Sequence, residues 1–205
     1  GNSNIAIGNK TLANPSSTSS YNIALGEGTM SQNMAGCYNI GVGIGTLANV
    51  LDPNANHNVA IGNQSLKANT SGYNNIGIGQ YSLINNRGGD HNIAIGKESL
   101  RSNTYGDFNV AIGRCVLTNN YSGMQNIAIG RKALHYNTNG SFNIGLGRNA
   151  LFRNQTGGYN LALGRSTLYE NICGNKNVAL GHQTLAWNSG GCENIGIGTR
   201  ALYCN

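Results

Sequence analysis

The residues of this 205-residue chain that could carry chemistry are few and regularly spaced. Asp90 and Asp107 lie seventeen residues apart, with His91 beside the first. Two neighbouring carboxylates are the minimum for glycoside hydrolysis or for holding Ca²⁺. No third acid recurs at that interval, so the pair reads as structural or solvated. The seven acidic residues are scattered along the chain, and an enzyme is not expected. Cys37, Cys115, Cys173, Cys192 and Cys204 form no CxxC or Cys/His cluster with His57, His91, His135 or His182. No metal site or cofactor is therefore expected. Unpaired, odd-numbered cysteines fit assembly in a reducing compartment better than export. Glycine strings such as GVGIG at 41–45 lead into strand-like sequence rather than a helix, which excludes a phosphate loop.

Two files of residues stand out instead. Lys97, Arg114, Arg131, Arg148 and Arg165 recur every seventeen residues, followed by His182. They supply most of the net charge of +6. Stacked about 4.8 Å apart, such cations repel by roughly 1 kcal/mol per solvated pair. One reading is a track for a polyanion such as acidic glycan or lipopolysaccharide phosphate, where arginine binds bidentately. The other is a solvated edge. The second file is aromatic: His135–Tyr136, Phe152–Arg153, Tyr169–Glu170, Ala186–Trp187 and Tyr203–Cys204. Tyr136, Phe152, Tyr169 and Trp187 suit stacking on sugar faces, and equally suit packing on a following domain or a neighbouring chain.

The interval belongs to the whole sequence. A phrase of Asn, aliphatic, Ala/Gly, aliphatic, Gly starts at Asn4, Asn22, Asn39, Asn58, Asn75, Asn92, Asn109, Asn126, Asn143, Asn160, Asn177 and Asn194. With that Asn as position 1, the basic file is position 6 and the aromatic file is positions 10 and 11. Position 9 is Leu except at Met30. Position 12 is Asn from Asn69 to Asn205, and position 15 is Gly from Gly72 to Gly191. So short a fixed period means a solenoid with one coil per repeat. The period-two apolar pattern and β-branched residues predict strands. We expect an all-β parallel β-solenoid (a β-roll) of about twelve 17-residue coils, forming a single domain over residues 1–205. Each coil should hold two or three short strands, and the rod should be roughly 55–60 Å long. Glycines 5 and 15 should make corners with φ > 0. The asparagine columns at 1 and 12 should bond along the axis. Thirty-one glycines with 10 % charged residues would suggest disorder in an aperiodic chain, but periodicity overrides that. No apolar run approaches membrane-spanning length, and the termini read as those of a piece cut from a longer fibre.

Position 3 is Ala or Gly in every copy, between large aliphatics at 2 and 4. Both faces of this strand are expected to be buried. The small one packs either against the chain's own opposite wall or, the reading favoured here, against a closely approaching sister chain, most simply in a homotrimer. The repeat NIAIG-x-x-(A/S)-L-x-x-N-T-x-G resembles the head repeats of YadA-like trimeric adhesins. It also resembles Asn/Gly-rich repeats of phage and large-virus tail-fibre or spike proteins. The resemblance implies a trimeric β-roll used for attachment, on a virion surface or alternatively a bacterial cell surface. Its partners would be sister chains, flanking fibre domains and a host-surface glycan or other polyanion, with no membrane insertion. The adhesin repeat is shorter and lacks the position-9 Leu and position-12 Asn, and no functional residues carry over. The alternatives are a carbohydrate-binding module and, further off, a polysaccharide-cleaving tailspike. Ice binding would need a regular Thr file, yet Thr70, Thr104 and Thr138 skip alternate coils. Nucleic-acid binding rests only on the basic file and pI ≈ 9.2, without aromatic interleaving.

Overall fold

The computed structural model describes residues 1–13 and 18–205. Twelve three-residue strands run from β1 (Ile5–Ile7) to β12 (Ile195–Ile197), and each pairs in parallel only with its sequence neighbours. Equal repeat positions face one another throughout: Ile93 pairs with Val110, Ala94 with Ala111 and Ile95 with Ile112. The fold is the expected all-β solenoid. Each coil holds one strand rather than two or three, and turns make up the rest.

The turn segments still bond coil to coil. Leu100 N–H donates to the Val116 carbonyl at 2.9 Å and Cys115 N–H to the Lys97 carbonyl at 3.0 Å. They are not strands because their dihedrals alternate in hand. Non-glycine residues at positions 7, 9 and 17 have positive φ, from 45° at Leu12 to 61° at Phe142. A β-branched side chain is a true outlier in that region, and these three columns contain no Val, Ile or Thr.

The two glycine columns serve different ends. Position 5 has φ between 113° and 136°, the corner that was expected. Position 15 is not left-handed. A Cβ on Gly89 would lie 2.6 Å from Asn86 Oδ1 and 2.7 Å from Asn103 Nδ2, so the asparagine ladder leaves no room for a side chain.

The ladders account for the corner backbone groups. In the position-1 column, Asn109 Oδ1 accepts from both the backbone N–H and the Nδ2 of Asn126, at 3.0 and 3.1 Å. Asn126 Nδ2 also donates to Gly140 O at 2.9 Å. In the position-12 column, Asn137 Nδ2 donates to Asn120 Oδ1 and to the same Gly140 carbonyl, each at 2.8 Å. These asparagines are fully buried, where an unpaired polar group is costly. Position 16 adds a third, shallower and interrupted ladder, in which Asp90, Asp107, Ser141 and Asn175 each accept from the previous coil's backbone N–H.

The core is narrow. Position 9, from Met30 to Leu185, and the position-3 alanines from Ala24 to Ala179 are fully buried against each other. A Cβ on Gly145 would sit 3.4 Å from Leu134 Cδ1, so the space opposite the leucine admits a methyl and little more. Buried Ser65, Ser82 and Ser99 donate from Oγ to strand carbonyls at 2.8–3.0 Å. The small residues thus form the inner wall, the first of the two readings of that column, and the favoured sister-chain contact at position 3 is overturned. The aliphatics at positions 2 and 4 point outward instead, half-buried or exposed, as in β8 (Ile127–Ile129), where Ile127 is 38 % and Ile129 40 % exposed.

Candidate functional site

Three surfaces emerge from this stacking. The first is the outer face of the sheet. Its two columns hold only Ile, Val and Leu. Neighbouring columns stand about 6.6 Å apart and eleven coil steps span about 53 Å, so the strip is long and narrow, and it is free of charge. Contiguous apolar surface larger than a few hundred Å² is unusual on a monomer.

The second is the basic file. Lys97, Arg114, Arg131, Arg148 and Arg165 are all exposed, directly after the position-5 corner. Lys97 lies 3.8 Å from Glu98. The four arginines make no ion pair among the described residues. The structure therefore brings the five together as one column, open to solvent.

The third is the wall formed by positions 7, 10 and 11. His135, Phe152 and Tyr169 stack successively in the position-10 column, with centroids 5.5 and 4.9 Å apart and planes within 14°. Tyr136 meets Phe152 edge to face at 5.2 Å. Lys132, from position 7, lies 5.9 Å from the Phe152 centroid. Arg153 pairs with Glu170 at 3.1 Å. Trp187 is exposed and sits two coils beyond Phe152 in the neighbouring column. Tyr136, Phe152, Tyr169 and Trp187 thus share one wall, as their spacing required.

Sequence reasoning missed a second aromatic column. In the column just before each anchor asparagine (position 17 of the regular repeat), Tyr21, Tyr38 and His57 stack at 4.9 and 5.0 Å, His91 and Phe108 at 4.7 Å, and Phe142 and Tyr159 at 4.7 Å. The signal was the recurrence of an aromatic or histidine just before the anchor asparagine.

The carboxylate pair belongs to the position-16 ladder. Asp90 Oδ1 accepts from Tyr73 N–H at 3.0 Å, and Asp107 Oδ1 from Asp90 N–H at 2.8 Å. Partial burial, and then the neighbouring Asp107 charge, raise the Asp90 carboxyl above its ordinary value. The Tyr73 hydrogen bond and His91 oppose this. Among the described residues no three His, Cys, Asp or Glu side chains gather into a cluster. All five cysteines are unpaired within the chain. Comparison with protein-family models, curated proteins and solved structures returns no match.

Proposed function

We propose that this chain is a rod segment of an attachment fibre or spike, non-enzymatic, assembling as a homotrimer on a virion surface and presenting its side walls to a host glycan. The observation that carries the reading is the uninterrupted Ile/Val/Leu strip on the outer face of the sheet. Each coil's own core is a single leucine column, so a large share of the aliphatic surface stays wet in one chain. Covering it contributes about 25 cal/mol per Å². Three strips only about 6.6 Å wide can close around a common axis and leave the other walls free. The sister chain thus meets positions 2 and 4, not the Ala/Gly column. The resemblance of the repeat to YadA-like heads and to viral fibre repeats points the same way.

In this arrangement the rod's length follows from coil count, and its rigidity from the continuous backbone and asparagine ladders. The basic file and the aromatic wall lie outside the strip, where they can meet a polyanionic or neutral glycan. A monomeric carbohydrate-binding module is the second reading, supported by the aromatic wall alone.

Light scattering on the purified chain tests the proposal. A mass near three chains, falling to one in Ile127→Asp/Ile129→Asp with unchanged circular dichroism, supports it. A one-chain mass for the parent protein at micromolar concentration refutes it. A two-chain mass replaces the trimer with a face-to-face pair.

A further inference from the structure

We infer that the gap in the position-10 aromatic column at Ala186 is a binding slot for a single sugar ring. The inference deepens the attachment reading and rests on it for the class of ligand. Rings occupy position 10 at His135, Phe152 and Tyr169, are missing at Ala186, and resume at Tyr203. Where consecutive rings are present they stack at 4.9–5.5 Å with nearly parallel planes. Tyr169 and Tyr203 are therefore two coil steps apart, about 9.6 Å, with one ring's place empty between them. Ala186, 4 % exposed, forms the floor. Trp187 stands beside it at position 11, and Ser166 and Gln183 border the other side from position 7. Together they enclose a groove of about 260 Å³.

The lining says what kind of ring fits. Tyr169 and Tyr203, which both line the groove, suit the C–H face of a pyranose or another aromatic ring. The rim decides between them. Among the described residues the Ser166 hydroxyl, the Gln183 Nε2 and the Trp187 indole N–H have no hydrogen-bond partner, while Gln183 Oε1 is held by Arg200 Nε at 3.1 Å. A bare aromatic side chain would cover these donors without satisfying them, at a desolvation cost. Ring hydroxyls of a sugar would satisfy them. No free carboxylate faces the slot: the nearest acid in the strip, Glu170, is paired with Arg153. The guanidinium of Arg200 lies 5.7 Å from the Tyr203 centroid. The slot therefore takes a neutral or acidic pyranose.

The chain contains one tryptophan, Trp187, so its fluorescence reports on the slot alone. The experiment titrates the assembled protein with N-acetylglucosamine, methyl galactoside, lactose and sialyllactose, and separately with N-acetyltyrosinamide. A saturable emission change with at least one sugar is expected. It should be lost in Ala186→Phe, which fills the gap with the ring the column otherwise carries. It should weaken about tenfold in Tyr203→Ala, the value of one stacking contact. Asn85→Ala, at an exposed position six coils before Trp187, should leave it in place. No response to any of these sugars overturns the inference. A response to N-acetyltyrosinamide alone also overturns it, and makes the slot a dock for an aromatic side chain. A persistent sugar response in Ala186→Phe does the same. The light-scattering mass separates this from the rod reading. A monomer that binds sugar keeps the slot and loses the trimer, and a trimer that binds none does the reverse.

Discussion

Asn126→Ala cuts the asparagine ladder near the middle of the rod. Its consequences can be counted bond by bond. The side chain makes four hydrogen bonds. Nδ2 donates to Asn109 Oδ1 and Gly140 O, and Oδ1 accepts from the backbone N–H and Nδ2 of Asn143. After truncation most partners keep another bond. Asn109 Oδ1 still accepts from Asn126 N–H, Gly140 O from Asn137 Nδ2, and Asn143 Nδ2 still donates to Gly157 O. Only the buried backbone N–H of Asn143 is orphaned. Three bonds at about 1 kcal/mol each, plus a buried orphan at about 1–3 kcal/mol, give a loss of roughly 4–6 kcal/mol. The exposed Asn85, which makes no side-chain hydrogen bond, is the control, and Asn85→Ala should change stability by less than about 0.5 kcal/mol. Urea midpoints compared at one fixed protein concentration measure the difference, because association shifts apparent stability. Native-state hydrogen exchange locates it: protection at the Asn143 amide should fall far more than at Asn160, one coil further on. If Asn126→Ala and Asn85→Ala unfold at the same denaturant concentration, the ladder does not hold the coils together.

Three further outcomes follow from the same geometry. Leu117 is fully buried at φ 47°, where a β-branched residue is strained. Leu117→Ile should therefore lower the urea midpoint by the equivalent of about 1–3 kcal/mol, while Leu117→Met, the residue the column accepts at Met30, stays within about 1.5 kcal/mol. For Asp90, the folded carboxyl sits above its ordinary value of 3.8. The group then favours folding fully at pH below that ordinary value, and this contribution is lost as pH rises through the folded value. Asn can accept the same Tyr73 hydrogen bond, as Asn175 does from Gly158 N–H in this column at 2.7 Å. Asp90→Asn should match the parent at pH 3 and exceed it at pH 7 in thermal melts. An advantage confined to low pH would contradict this. Arg131→Glu/Arg148→Glu breaks the basic file at two adjacent coils. On a heparin column it should elute at clearly lower salt than the parent, as charge-driven binding requires. Unchanged elution would leave the file as a solvated edge.

Much of the architecture was legible because a seventeen-residue period leaves few ways to fold. Once each repeat is a coil, the register of every strand, the two asparagine ladders and the basic file follow from counting. So does the shared wall of Tyr136, Phe152, Tyr169 and Trp187. Two features did not. The left-handed columns at 7, 9 and 17 were signalled only by what they lack, β-branched residues, and such an absence is easily passed over. The stacked rings at position 17 were hidden because Asn74, Gln125, Lys176 and Glu193 interrupt them. The empty place at Ala186 acquires meaning only when Tyr169 and Tyr203 are known to stand on either side of it.

The sequence by itself determined that equal positions stack, since a fixed repeat translated along an axis leaves no alternative. It could not determine which side of the strand is inside. Alternation places positions 2 and 4 opposite position 3 but does not say which set faces the core, and size suggests that the large residues do. Tertiary structure decided the reverse. The turn wall delivers a leucine from every coil into a space one side chain deep, and the strand across from it can contribute only a methyl or a hydrogen. The large aliphatics are thereby turned outward, and the surface most in need of a partner is made of residues that composition alone would place in the core.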